Sequence, residues 1–348
     1  MSRRTLTLAV TGALLVALIA VASLLPVPYV VYSPGPTEDT LGEQDGVPVI
    51  EVDGAETYPT DGELDLTTVG ITPVDGQVDV FTALRAWMDD ERAIFPRDLI
   101  YPPDLTAEQR REQNAAMLQR SQDDAKAAAL RHLGYDVPGT VLVDMVLEDM
   151  PADGNLMPGD ELLEVDGTSI EQPEDVVEVV QAHAPGDEIE FVIDRSGEEV
   201  VLDIVTTEAE NGDHAFVGFA PVAGYEFPVD INVTIDDRIG GPSAGMVFAL
   251  AIYDTLTPGA LLDGLHVAGT GEITGDGDVG PIGGIQQKIA AAANEGADLF
   301  LAPVENCDDV PGAAAHDMQI VSVDMLDDAI AAVEAAAAGE EAGLPSCG

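Results

Sequence analysis

The chain has 348 residues, and 65 Asp plus Glu against 13 Lys plus Arg give it a formal charge of −52. A field of that sign repels nucleic acid and anionic lipid headgroups, which excludes binding to either by charge. An apolar share of 46% excludes a disordered chain and leaves room for two ordinary domains beside one short membrane segment.

The acidic residues run along the whole length rather than forming a tail, which fits a strongly hydrated surface. Lysine is nearly absent: only Lys126 and Lys288 occur. The five histidines are scattered and no Cys/His cluster has zinc spacing, so neither a structural metal nor a cofactor is expected.

At the N-terminus Arg3 and Arg4 precede an uncharged stretch over 6–25. As a helix it spans roughly 30 Å, about one hydrocarbon core. The arginines should stay cytoplasmic, which puts everything after Pro26 outside. Residues 1–27 are therefore read as a transmembrane signal anchor in the cell membrane, single-pass, with the body of the chain extracytoplasmic. Ala20-Val21-Ala22 also fits a signal-peptidase site, so a cleaved leader is the alternative. The apolar run continues past it through Leu24 and Leu25, which favours the anchor. In either case Cys307 and Cys347 lie where thiols oxidise. A bridge between them would close a loop of about 40 residues, worth on the order of 4 kcal/mol; two unpaired thiols are the alternative.

Residues 28–80 are rich in Gly, Pro and Asp and read as irregular β-structure, with the alternation over 62–69 predicting a strand. A short helix is expected over 81–88. Pro96, Pro102 and Pro103 break the chain, and 106–133 reads as one long helix ended by Gly134. Lys126 sits there three residues after Asp123, as a solvated ion pair would.

Residues 138–207 read as strand, strand, short helix over 173–182, and a hairpin turning at Ser196-Gly197, which makes a small, partly open barrel. After 207 the chain reads as a strand over 229–235, a Gly-rich turn, a helix from about 243 to 256, a strand over 265–269, a helix over 285–295, strands over 299–301 and 320–323, and an Ala-rich helix. Alternating elements give this half an α/β texture.

Two features carry chemistry. Gly241-Pro242-Ser243-Ala244-Gly245 places a serine between small residues at a helix start, where a substrate backbone can come close. Free N–H groups at a helix N-terminus favour an oxyanion. Pro242 has none, so the donors would be Ser243 itself with Gly240 or Gly241. A Gly-rich helix cap is the plain alternative. The second feature is Lys288. On the helix over 285–295 it shares a face with Ile285, Ile289 and Ala292, so it lies on the apolar stripe. Burial there lowers a lysine pKa and favours the neutral amine, which can accept a serine proton. A snorkelling lysine is the alternative.

Taken together, 229–303 resembles the proteolytic domain of the Lon family. The motifs are Gly-Pro-Ser-Ala-Gly at 241–245, Gly269-Thr270-Gly271-Glu272-Ile273-Thr274, and Gly280-Pro281-Ile282-Gly283-Gly284-Ile285-Gln286-Gln287-Lys288. The resemblance implies Ser243 as nucleophile, Lys288 as general base and Thr270 as the residue that orients the amine. It also implies a possible homo-oligomer. One departure is Gly240, where ATP-dependent members carry an acid three residues before the serine.

The middle segment resembles a PDZ domain of the bacterial protease type. Pro151-Ala152, Leu156, Gly159-Asp160-Glu161-Leu162-Leu163-Glu164-Val165-Asp166-Gly167 and Arg195-Ser196-Gly197 carry the likeness. It implies a site where an extended peptide adds to a sheet edge, its end held near Val137-Pro138-Gly139-Thr140.

The whole chain resembles the membrane-anchored, PDZ-containing branch of Lon-like proteases, with Tyr32-Ser33-Pro34-Gly35-Pro36 and Leu66-Thr67-Thr68-Val69 belonging to the likeness. The expected fold is α+β: a Lon-type proteolytic domain with a mixed sheet and helices, an inserted PDZ-type barrel, and one N-terminal transmembrane helix. The expected parts are the N-terminal stretch of the protease domain at 28–136, the PDZ domain at 137–207, the catalytic stretch at 208–340 and a tail at 341–348. Neither lysine ends a P-loop, so the enzyme is expected to act without ATP. Expected partners are protein or peptide substrates, a PDZ-bound peptide and the membrane, with no nucleic acid. Two rivals remain. One is an α/β-hydrolase using Ser243 with His266 or His316. The other is a PDZ adaptor on an inactive scaffold.

Overall fold

The polypeptide forms two units, and the first is made from two separated stretches. Met1–Gly134 and Val229–Gly348 build unit one, and Tyr135–Pro228 is unit two, an insertion between them. The computed structural model describes residues 3–22, 25–101, 106–209, 212, 214–236, 238–313, 315–340 and 343–347. Residues 1, 2, 23 and 24 of the expected anchor, the breakers Pro102 and Pro103, and residues 341, 342 and 348 of the expected tail lie outside them.

In unit one, helix α1 (Arg3–Ala22) is long and apolar enough to cross a membrane. Strand β1 (Tyr29–Asp39) follows, then β2 (Ile50–Asp53), β3 (Glu63–Ile71), helix α2 (Val80–Trp87), β4 (Ala93–Pro96) and helix α3 (Ala107–His132). Thr106 caps α3 through a capping box with Gln109, and Gly134 ends it at φ 84°. The face carrying Leu118, Ser121, Gln122, Ala125 and Ala129 is buried.

Unit two begins with β5 (Gly139–Val146) and continues with β6 (Glu161–Val165), helix α4 (Pro173–Gln181), β7 (Glu188–Arg195), β8 (Glu198–Val205) and β9 (Phe219–Tyr225). The sheet order is β8-β7-β6-β5-β9. It wraps a core of Val141, Val143, Leu162, Ile189, Phe191 and Ile193, closed by Val176 and Val180 of α4. The Gly159-Asp160 and Arg195-Ser196 motifs are one contact: the Arg195 guanidinium donates from Nε at 2.7 Å and from a terminal nitrogen at 2.6 Å to the buried Asp160 carboxylate. The unit runs past residue 207, where the sequence reading ends it. The reason is β9, which pairs antiparallel with β5 from Phe219↔Val146 to Tyr225↔Gly139 and supplies an edge of the sheet.

The chain then returns to unit one with β10 (Asp230–Val233), helix α5 (Gly245–Leu256), β11 (His266–Gly269), β12 (Glu272–Ile273), helix α6 (Ile285–Glu295), β13 (Leu299–Pro303), β14 (Gln319–Val323) and helix α7 (Leu326–Ala337). The main sheet has the order β14-β13-β11-β3-β1-β4. Its four strands β14, β13, β11 and β3 run parallel, and β1 and β4 add antiparallel. Thus the stretch before the insertion and the stretch after it share one sheet, with Gly269 of β11 between Leu66 and Leu301. The alternation read over 62–69 does not produce one wet face: Leu64, Asp65, Leu66 and Thr67 are all buried, as happens where both faces of a mixed sheet are covered. Asp65 accepts from the His266 ring at 2.9 Å, and the Thr67 hydroxyl donates to the Gly269 carbonyl.

Helix α5 is buried almost throughout and packs on α3. A Cβ added at Gly245 would stand 2.7 Å from Ser121 Oγ and 2.8 Å from Ile273 Cγ2, so only glycine permits this approach. Cys307 and Cys347 form a disulfide, and neighbouring Ser346 pairs with Val321 of β14.

Candidate active site

Ser243 lies two residues before α5, in a turn held by α3 and by the stretch between β11 and β12. Gly241, at φ 90°, donates its amide to the Asn114 carbonyl of α3 at 3.0 Å. The Pro242 carbonyl accepts from Ser121 Oγ of α3 at 2.7 Å. The Ser243 carbonyl accepts from the Gly271 amide at 2.9 Å and from Thr270 Oγ1 at 2.9 Å. Each tie uses a main-chain atom, so the backbone around the serine is fixed while its hydroxyl stays available.

Lys288 comes from α6, whose first turn follows Gly283-Gly284. Its side chain is 3% exposed. Its Nζ donates to Ser243 Oγ at 2.7 Å and to Thr270 Oγ1 at 2.8 Å. Burial pulls its pKa down from 10.5 to about 7, and the Glu272 carboxylate opposes part of that shift. Glu272 is itself raised by burial and lowered by Lys288. An amine with that pKa is neutral in a large fraction of molecules near pH 7, and its lone pair then faces a serine hydroxyl.

The pair opens into a cavity of about 770 Å³ between β1, β3, α3 and the loop before Ser243. Tyr32, Glu38, Thr68, Asn114, Gly240 and Gly283 are among its lining residues. Arg238 on its wall is paired with Asp236, which holds that carboxylate well below its ordinary value.

Of the sequence-stated donors for an oxyanion, Gly241 is corrected: its amide is spent on Asn114. The start of α5 is also occupied, since the Gly245 and Met246 amides donate to the Pro242 and Gly271 carbonyls. Among the described residues nothing accepts the amides of Gly240 and Ser243, and both residues line the cavity. His266 lies at the opposite end of β11 from Thr270, engaged with Asp65, and is not part of the cavity wall; nor is His316. Among the described residues Ser243 also does not leave a strand of the main sheet, as a nucleophile elbow requires, because β10 ends at Val233 and pairs there with β2 alone. Sequence reasoning missed Ser121, Asn114 and Glu272. Glu272 lies inside a quoted motif, and Ser121 shows only as a polar residue on the buried stripe of α3.

Unit two carries a groove of about 470 Å³ between α4 and the strand edge. Leu147, Met150, Val177, Val180, Phe216 and Phe219 line it. The stretch Val137-Pro138-Gly139-Thr140 does not line this groove, and Gly139 and Thr140 pair with Tyr225 and Gly224, at the other end of β9.

Residues 237–335 match the Lon protease (S16) C-terminal proteolytic domain, and residues 115–206 match the PDZ domain. The Lon protease of Campylobacter concisus is 42% identical over 94 residues, 26% of this chain and 11% of that protein. The Lon protease of Roseiflexus castenholzii is 39% identical over 93 residues, again 26% and 11%. The chain thus spans about a tenth of the length of these relatives. Among solved structures, the PDZ domain of the SdrC-like protein from Listeria monocytogenes covers 24% of this chain and 86% of its own at 23% identity, with a TM-score of 0.23. The β9 strand lies beyond the end of the PDZ match. This chain contains a Lon protease (S16) C-terminal proteolytic domain and a PDZ domain.

Proposed function

We propose that the chain is an ATP-independent serine endopeptidase with a Ser243–Lys288 dyad, anchored by α1 with its catalytic part outside the cytoplasm. The observation that carries this reading is a buried amine 2.7 Å from a serine hydroxyl at the edge of an open cavity.

In the proposed reaction the neutral Lys288 amine takes the Ser243 proton as Oγ attacks a peptide carbonyl. The amides of Ser243 and Gly240 receive the developing oxyanion. The Lys288 ammonium then gives its proton to the departing amine. Water, deprotonated by the same lysine, attacks the acyl-enzyme, and Ser243 recovers its proton as the acid leaves. Thr270 accepts a hydrogen bond from Nζ and donates its own to the Ser243 carbonyl, so it fixes the amine relative to the nucleophile's backbone.

Substrates on this reading are extended segments of extracytoplasmic or membrane proteins, gathered in part by unit two. Edge strand β9 with the apolar groove beside it suits strand addition by a peptide whose apolar side chains enter the groove.

The test is digestion of an unfolded protein by the full chain in detergent micelles, with and without ATP. Ser243→Ala and Lys288→Ala should each abolish cleavage, His266→Ala should retain it, and ATP should change nothing. Survival of cleavage in either dyad variant, or strict ATP dependence, would overturn the proposal.

A further inference from the structure

We propose that helix α2 is a second membrane contact, lying in the outer interface of the bilayer with Phe81, Leu84, Trp87 and Met88 turned into lipid. This rests on the reading of α1 as a transmembrane anchor.

The first observation is that α2 is amphipathic in the wrong sense for a core helix. Its small residues face inward: Ala83 and Ala86 pack with Val27, Val31, Val78 and Ile94. Its large apolar residues face outward, with Phe81 43%, Leu84 48%, Trp87 71% and Met88 73% exposed. Single exposed apolar residues are ordinary. These four recur at i, i+3, i+6 and i+7 and so make one stripe along the helix.

The second observation is where that stripe is tied. Pro26 follows Ala22 by four positions, so it lies within about 14 Å of the end of α1 whatever path the chain takes. Pro26–Val27 pairs antiparallel with Val78–Asp79, Pro26 opposite Asp79. Asp79 is the N-cap of α2, its carboxylate accepting the amides of Phe81 and Thr82. The helix therefore starts about 5 Å, one strand spacing, from Pro26. Eight residues of helix add only about 12 Å. The stripe is thus held within about 30 Å of the point where the chain leaves the bilayer, at high effective concentration toward its surface.

Chemistry then narrows the partner. Tryptophan is favoured at headgroup depth, and an apolar face on a short surface helix suits the acyl boundary. Asp89, Asp90 and Glu91 follow the helix, so anionic headgroups are disfavoured and the fit is to a zwitterionic leaflet. A second copy of the chain is the competing occupant, but four partly covered side chains fall short of the ~800 Å² per partner of a stable dimer.

Trp87 is the chain's single tryptophan, so its emission reports this helix alone. The experiment reconstitutes the full chain in phosphatidylcholine vesicles, with and without lipid brominated high in the acyl chain, and follows vesicle flotation on the same samples. Emission should fall to roughly half in brominated vesicles, the response of a ring at the acyl boundary. Leu84→Ser combined with Met88→Ser should abolish that quenching while hydrolysis of a soluble peptide stays unchanged. Protein that floats without lipid quenching overturns the proposal and leaves the anchor standing. Protein that does not float overturns both. Shielding of Trp87 from aqueous iodide that appears only as the protein-to-lipid ratio rises, without lipid quenching, assigns the stripe to a second copy and overturns the proposal. None of these outcomes bears on the Ser243–Lys288 dyad, which the digestion experiment tests separately.

Discussion

The Ser121 hydroxyl donates to the Pro242 carbonyl at 2.7 Å, joining a helix that precedes the inserted unit to the residue just before the proposed nucleophile. Ser121 is 3% exposed, and the other hydrogen bond to that carbonyl, from Gly245, is long at 3.4 Å. Ser121→Ala should therefore lower stability by about 1–2 kcal/mol, the cost of an under-satisfied buried acceptor. It should also reduce kcat more than it raises KM, because the turn that aims Ser243 loosens. Denaturant unfolding and steady-state kinetics on one preparation check both.

The pH dependence follows from Lys288. The base acts when neutral, so kcat/KM should rise with pH along a limb centred near 7 rather than near the ordinary 10.5. The Glu272 carboxylate favours the charged amine, so Glu272→Gln should move that limb to lower pH. A limb unmoved by this change would show that another group titrates.

The same shift acts on stability with a definite sign. Between about pH 7 and 10.5 the unfolded chain holds a proton on Lys288 that the folded chain has released. Folding is therefore penalised at neutral pH, and the penalty fades as pH rises toward the unfolded value. Lys288→Met should be inactive yet more stable at pH 7, by about 1–3 kcal/mol. Thermal unfolding at pH 7 and pH 10 measures this, and the gap should narrow at the higher pH.

Thr270 bridges the two members of the pair through one hydroxyl. Thr270→Val keeps the shape and removes the bridge, and should cost at least about tenfold in kcat with little change in KM. Thr270→Ser should restore most of the rate. An equal loss in both variants would point to packing rather than hydrogen bonding.

In unit two, Val177 lines the groove and is 44% exposed, so it can be changed without opening the core. Val177→Glu should weaken capture of an extended peptide by about tenfold or more. Hydrolysis of a short soluble peptide should not change. Isothermal titration and the peptidase assay separate the two effects.

Much of this arrangement is legible in the linear chain. Thr106, Gln109 and Gly134 mark both ends of α3, because capping is local chemistry. The face shared by Ile285, Lys288, Ile289 and Ala292 follows from helical spacing, and burial of the lysine follows from that face. The insertion is visible as a change of texture near 137, although its far end is not. Strand β9 reads as a continuation of the next domain, because nothing local to Phe219–Tyr225 names Gly139–Val146 as its partner.

The sequence by itself determined which side chains are candidates for the chemistry and where the helix that carries Lys288 begins and ends, since cap and period are properties of neighbours in the chain. Tertiary structure alone decided which backbone groups remain for a substrate. The amides of Gly240, Gly241 and Ser243 look alike in sequence, and only the approach of Asn114 removes the middle one from use. Every residue but proline has the same N–H, so its availability depends on what folds against it rather than on what it is.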